Sequence, residues 1–186
     1  MKKYSFGRGK QKGIGLLDLL FWLVIASLLS FGVLRLVKNN MTKAAVADEV
    51  ETLSMMAGDL RAKFMRTGNF AGLTNATFVS LNIAPPERVT GGNLRSAFET
   101  PIDVSAANVN GMANDGFSFT YSNLPSTVCT DFVMSAAPNF ARIAINGTVI
   151  KDVTNGRNDA EISVVDLGNC AGANGIVASV VFEQGR

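Results

Sequence analysis

A single carboxylate, that of Asp18, stands inside an apolar stretch near the start of the chain, five residues after Gly13. Gly13 ends a basic leader that holds no acid and five cations: Lys2, Lys3, Arg8, Lys10 and Lys12. A charge near the centre of a bilayer costs roughly 2.5 to 3.5 kcal/mol on insertion scales, so an acid in such a stretch is a functional hypothesis in itself. Asp18 is therefore a candidate functional residue. The alternative is that Asp18 has no function and lies at the membrane interface, where its side chain extends to the cytoplasmic lipid headgroups.

The stretch around Asp18 has the length of a membrane-spanning helix. No charge occurs in Leu19–Leu34, and the wider span Ile14–Val37 admits only Asp18 and Arg35. About 20 apolar residues are needed to cross the hydrocarbon core. The basic leader predicts that the N-terminus stays in the cytoplasm while the following chain crosses the membrane. A cleaved secretory signal is a poorer alternative, because the apolar run is long and no A-x-A-like site follows it.

The two cysteines of the chain, Cys129 and Cys170, both follow the predicted span. They are therefore expected on the oxidising side of the membrane, where an even pair predicts a disulfide. Closing the loop between them would stabilise the folded state by roughly 4 kcal/mol in the chain-entropy treatment. Two buried thiols are the alternative.

The helix is predicted to continue beyond the membrane, over Ile14–Arg66, and to end at Gly68 and Asn69. Apolar residues recur at alternating spacings of four and three: Val46, Val50, Leu53, Ala57, Leu60 and Phe64. Charged residues are predicted to fill the other faces: Lys43, Asp48, Glu49, Glu51, Asp59, Arg61 and Lys63. This pattern is typical of an amphipathic helix with one face buried.

Beyond residue 67 the composition predicts an α+β globular head in which an antiparallel sheet carries a packed helix. Helices are predicted over 74–81 and from Pro125 and Ser126 onward. Alternating or apolar runs predict strands over 116–121, 139–146, 148–153, 161–167 and 175–184, with a tight turn at Gly147 and a polar loop over 154–159.

The composition excludes most catalytic chemistry. The chain has no histidine, which removes Ser-His-Asp and Cys-His arrangements and most catalytic zinc sites. No phosphate-binding glycine loop is present, and the acids of the C-terminal region lack EF-hand spacing. Because the positive charge is confined to the leader, no nucleic-acid surface is expected. We predict a protein that is not an enzyme and has no cofactor or metal.

The basic leader ending in Gly13, the acid five residues later and the apolar helix that becomes amphipathic together resemble a bacterial type IV prepilin. The thirteen-residue leader and a first mature residue other than Phe are similar to the type IVb branch, to which conjugative thin-pilus subunits also belong. The segment "NMTKAA" (40–45) is similar to the corresponding helix segment of a type IVb pilin. The cysteine pair matches the disulfide bond that closes the variable region of pilins.

The resemblance implies roles for three residues. Gly13 would be the residue that prepilin peptidase requires, and Ile14 would become the new, N-methylated terminus. Asp18 takes the place of the usual glutamate, one methylene shorter. Physical reasoning supports an intersubunit pair, because an ammonium at Ile14 and a carboxylate at Asp18 would neutralise each other in apolar surroundings. Identical subunits joined head to tail in this way form an open helical filament.

The predicted organisation is a leader (1–13), a transmembrane assembly half of the helix (14–38), an amphipathic half (39–67) and a head (68–186). The first hypothesis is a major type IVb pilin, anchored in the bacterial inner membrane with its head in the periplasm. Prepilin peptidase and an assembly platform would turn it into an extracellular homo-oligomeric fibre for adhesion, aggregation or conjugative DNA transfer. The alternatives are a minor pilin or type II secretion pseudopilin, and a singly anchored periplasmic binding protein.

Overall fold

The structure, a computed structural model, describes residues 15–154, 159 and 161–185. The chain divides into two compact units, Met1–Met41 and Thr42–Arg186. Helix α1 (Leu16–Phe64) contributes to both. The predicted loop over 154–159 lies outside the described residues except at its two ends, where Asp159 forms an isolated antiparallel bridge with Asp152.

Helix α1 confirms the predicted long helix from Leu16 onward, but it ends at Phe64, two residues before the predicted end. Thr67 accounts for the difference. Its backbone N–H and its hydroxyl both donate to the Phe64 carbonyl, at 3.1 and 2.8 Å. Gly68 follows with a φ of +80°, a conformation that glycine adopts without steric cost.

The second unit contains a seven-stranded antiparallel sheet with strand order β1-β2-β3-β4-β7-β5-β6. Its strands are β1 (Val89–Thr90), β2 (Asn93–Arg95), β3 (Pro101–Ala107), β4 (Gly116–Pro125), β5 (Arg142–Ile145), β6 (Thr148–Asp152) and β7 (Ile176–Gly185). The remaining helices are α2 (Asn75–Ser80), α3 (Ser126–Ala136) and α4 (Val164–Leu167).

Most predicted elements of the head are confirmed. The predicted helices correspond to α2 and α3, and four of the predicted strands correspond to β4, β5, β6 and β7. The predicted turn joins β5 to β6 through Asn146 and Gly147, whose φ angles are +51° and +80°. Two consecutive residues with positive φ match the twist of an antiparallel hairpin, which explains the Asn-Gly pair.

The strand predicted over 161–167 is wrong, because this segment contains the short helix α4. Ser163 and Asp166 form a reciprocal capping box: the Ser163 hydroxyl accepts from the Val165 N–H, and the Asp166 carboxylate accepts from the Ser163 N–H. These bonds satisfy amide groups that a helix start leaves free. Val164 and Val165 remain 85% and 83% exposed, so neither supplies the burial that would favour a strand.

The core of the second unit lies between the sheet and two helices, α1 and α3. Leu53, Met56 and Leu60 of α1 are at most 1% exposed. They belong to one continuous apolar cluster with aromatic side chains from the sheet and α3: Phe117, Phe119, Tyr121, Phe132 and Phe182. Tyr121 and Phe132 pack edge to face with ring centroids 4.9 Å apart, a preferred aromatic geometry.

Candidate functional site

Asp18 lies in the first turn of α1, and its side chain is exposed. The helix begins just before it, since the Asp18 and Leu19 amides both donate to the Gly15 carbonyl, at 2.9 and 3.2 Å. A carboxylate in this position interacts favourably with the positive end of the helix dipole. Gly13 and Ile14, the predicted cleavage site, lie outside the described residues, so their roles stay predictions.

Large apolar side chains follow Asp18 along α1. Eight of them are between 52% and 68% exposed: Leu19, Leu20, Phe21, Trp22, Leu23, Val24, Leu28 and Leu29. We call these residues the exposed apolar segment. In the part of the chain whose side chains are described, no helix reaches the length and hydropathy required for a membrane span.

A second polar centre, absent from the sequence prediction, is built around Glu49. This residue was predicted on a charged outer face of α1, and that prediction is wrong because Glu49 is 1% exposed. Its carboxylate accepts hydrogen bonds from the Tyr121 hydroxyl at 2.6 Å and from the Ala97 N–H at 2.5 Å. The Arg88 guanidinium lies 3.2 Å away. We call this set of four residues the Glu49 cluster.

The spacing of α1 contains the signal that would have placed Glu49 inside. Glu49 follows Val46 by three residues and precedes Leu53 by four, so it lies on the same helical face as these buried side chains. Burial raises the pKa of the Glu49 carboxyl above its ordinary value, although its two hydrogen bonds and Arg88 oppose the increase. Burial, together with the neighbouring Glu49, also raises the pKa of Tyr121.

The Glu49 cluster joins helix α1 to three other parts of the head. Tyr121 belongs to the central strand β4, Ala97 to the loop after β2, and Arg88 to a 3-10 turn that precedes β1. Arg88 also contacts the exposed Asp48 carboxylate at 2.5 Å. Because removing one partner of a buried charge leaves the other uncompensated, this cluster fixes the position of the helix against the sheet.

Cys129 and Cys170 are joined by a disulfide whose Cα atoms lie 5.7 Å apart. Cys129 belongs to α3, and Cys170 ends the short 3-10 helix Gly168–Cys170. Both residues are almost fully buried. The bond therefore ties the segment that carries α4 to the helix packed on the sheet.

Among the residues that the structure describes, no group of three or more potential ligands from His, Cys, Asp and Glu is placed to hold a metal ion. Two features described above are of another kind. One is an exposed surface formed by Asp18 and the exposed apolar segment, and the other is the Glu49 cluster inside the second unit. The first surface is suited to association, and the second to holding the fold.

This fold matches solved type IV pilins. The crystal structure of TcpA, a type IV pilin from the Vibrio cholerae El Tor biotype, superposes with a TM-score of 0.51 at 20% identity, covering 78% of this chain and 99% of that one. The crystal structure of a type IVb pilin from Salmonella typhi also gives a TM-score of 0.51, at 14% identity, covering 75% of this chain and 99% of its own. The protein therefore has the fold of a type IVb pilin.

The sequence also matches a family model directly. The model of the family described as PilS N terminal matches residues 43–182, and this chain belongs to that family. No curated protein matches the sequence. The resemblance to a type IVb pilin is thus confirmed by the family match over residues 43–182 and by the two structural matches.

Proposed function

We propose that this protein is the major subunit of a type IVb pilus. The observation that carries the proposal is the placement of an exposed carboxylate, Asp18, in the first turn of α1, followed at once by the exposed apolar segment. The chain also has the fold of a type IVb pilin, which supports a role for this surface in subunit assembly. In that context the protein acts as a structural subunit rather than an enzyme.

Processing would create the partner of Asp18. Hydrolysis of the Gly13–Ile14 peptide bond by prepilin peptidase releases the leader and leaves an ammonium group on Ile14, which is then N-methylated. An ammonium and a carboxylate are each costly in apolar surroundings, whereas a pair of them is neutral. A contact from Ile14 of one subunit to Asp18 of the next also sets the axial stagger between the two helices.

Repetition of this contact builds the fibre. Because the contact joins two different surfaces of identical subunits, it generates an open helical filament and not a closed ring. Before assembly, the exposed apolar segment is held in the bacterial inner membrane with the head in the periplasm, and an assembly platform moves the subunit into the extracellular fibre. Adhesion, aggregation and conjugative DNA transfer are the functions expected of such a fibre.

Intact-mass measurement of the membrane-extracted protein tests the proposal. We expect the mature chain to lack residues 1–13 and to carry one additional methyl group on Ile14. Gly13→Arg should accumulate an unmethylated precursor that retains the leader. A full-length wild-type chain would contradict the proposal and favour a singly anchored binding protein, and a mature product of normal mass from Gly13→Arg would refute this cleavage site.

A further inference from the structure

A cavity of about 470 Å³ lies against α1 in the second unit, bordered by Gly58 and by the segment 138–141 that leads into β5. Two cationic side chains, Arg61 and Lys151, line it. None of the described residues that line the cavity is an acid. The volume falls within the range of small-molecule sites. We call this space the cationic cavity.

Lys151 brings a buried positive charge to the cavity. The residue is 8% exposed, and its Nζ donates to the carbonyls of Ala137 and Phe140, at 2.5 and 2.8 Å. An ammonium group has three N–H donors, so two carbonyl acceptors leave one donor available. Burial lowers the pKa of Lys151, which shows that desolvation opposes the charge at this position.

Arg61 presents a second positive charge whose hydrogen-bonding capacity is incompletely used. Its guanidinium carbon lies 5.9 Å from the centroid of the Phe117 ring. Its Nε is buried and has no hydrogen-bond partner in the part of the chain that the structure describes. Burial lowers the pKa of Arg61 as well. No acid lies among the described residues that line the cavity to neutralise the guanidinium, so an anion in the cavity would supply the missing counter-charge.

We propose that the cationic cavity binds an anion that carries a carboxylate or phosphate group, held by Arg61 and Lys151. Arginine recognises the paired oxygens of such groups through two parallel N–H bonds, and lysine adds a point charge. The lining also includes uncharged polar groups, since the Asn139 amide donates to the Ser54 hydroxyl at 2.8 Å and Gln184 is a further lining residue.

The oxyanion has two possible sources, which share one chemistry. It is either a small soluble anion or an acidic side chain of a neighbouring subunit in the fibre. The second source rests on the proposed function, whereas binding of a soluble anion by the isolated subunit does not. The proposal of an anion-binding cavity and the proposal of a pilus subunit can therefore be refuted separately.

Calorimetric titration of the full-length, detergent-solubilised protein with citrate and with inorganic phosphate tests the cavity, at an ionic strength held constant with sodium chloride. We expect saturable binding of one anion per chain. Arg61→Gln should weaken it by about tenfold or more, the loss expected for a charge-assisted hydrogen bond. Arg66→Gln is the matched control, because it removes the same charge from an exposed position near the end of α1 and should bind as the wild type does.

Gly58→Leu provides a second variant that keeps both cations. Gly58 lines the cavity, and a Cβ added to it meets nothing within 4 Å. A leucine at this position therefore begins in open space at the cavity wall, and Leu has a higher helix propensity than Gly. We expect Gly58→Leu to fold and to lose citrate binding. Equal binding by the wild type, Arg61→Gln and Gly58→Leu, or no saturable binding by the wild type, would overturn the proposal.

Fibre yield separates the two sources once binding is established. Normal yield from Arg61→Gln and Gly58→Leu would assign the cavity to a soluble anion. A reduced yield from both variants, with normal yield from Arg66→Gln, would assign it to an acidic side chain of a neighbouring subunit. Either result supports a cavity that binds an oxyanion.

Discussion

Helix α1 contains two stretches with large apolar side chains that differ in burial. In the exposed apolar segment, every large side chain from Leu19 to Val24 is more than half exposed. In the stretch from Leu53 to Leu60, the apolar side chains facing the sheet are at most 5% exposed. The head therefore buries the apolar side chains of the second stretch. Those of the first stretch remain available to a membrane or to another protein. One helix is thus buried in the fold at one end and, as we propose, serves association at the other.

Asp18→Val should have the largest effect, and on association only. Without the carboxylate, the Ile14 ammonium of a neighbouring subunit has no partner in apolar surroundings, so we expect fibres to be abolished while processing and the urea stability of the head stay unchanged. Electron microscopy of sheared fibres measures assembly, intact mass measures processing, and urea titration measures the stability of the head. Asp18→Glu restores the usual pilin acid and should keep fibres. Normal fibres from Asp18→Val would refute the proposed pair between Ile14 and Asp18.

Replacing both cysteines with serine should have the largest effect on stability. The disulfide closes a loop of 41 residues, and its loss should lower the free energy of unfolding by roughly 4 kcal/mol. Urea titration followed by far-UV circular dichroism measures the change. Trp22 is the one tryptophan of the chain and lies in the exposed apolar segment, so its fluorescence should not follow the destabilisation. A shift of the fluorescence transition together with the head would contradict separate roles.

Leu60→Ala and Leu28→Ala form a matched pair within α1. Leu60 is fully buried and Leu28 is 68% exposed. We expect Leu60→Ala to cost about 3 kcal/mol, through lost burial and the cavity that remains. Leu28→Ala should stay within about 0.5 kcal/mol. Both are measured by urea unfolding in the same detergent. Equal costs would show that the two stretches share one environment.

The smallest predicted effect is a change in the pH dependence of stability in Glu49→Gln, which is separate from the overall loss of stability expected when Arg88 loses its carboxylate partner. Since burial raises the pKa of Glu49, the folded chain binds more protons than the unfolded chain between the ordinary value of 4.5 and the raised folded pKa. The free energy of unfolding of the wild type should therefore fall as pH rises through that window. Glu49→Gln lacks this contribution. Urea titrations across the window measure the difference between the two proteins, which a constant or opposite trend would contradict.

Elements defined by strong periodicity were predictable from the sequence. The long helix, α3 and strand β4 each repeat apolar residues at the spacing of their own secondary structure. Strand β3 was missed, although Ile102 and Val104 alternate with exposed Asp103 and Ser105. Because several of its residues are small or polar, the difference in hydrophobicity between alternating positions is weak. Its pairing with β2 and β4 stabilises the strand, but the local sequence does not show that pairing.

The candidate sites were predictable to different degrees. Asp18 was chosen as a candidate because a charge is unfavourable in an apolar stretch, and its role stays a prediction. Glu49 was missed because an acid in an amphipathic helix ordinarily faces water, and its burial depends on Tyr121 and Arg88, which are distant in sequence. The cationic cavity combines Arg61 of α1 with Lys151 of β6, a pairing that only the folded chain creates.

The position of β7 in the sheet also sets an order of assembly in time. Strands β4 and β5 both pair with β7 and not with each other, so the β5–β6 hairpin joins the other strands only after residues 176–185 are in place. Both cysteines precede β7 in the chain, and oxidation can therefore hold α3 and residue 170 together before the sheet closes. Such a long-range closing step slows folding. The unpaired strand edges are thus exposed to proteases and to edge-to-edge pairing until residues 176–185 insert.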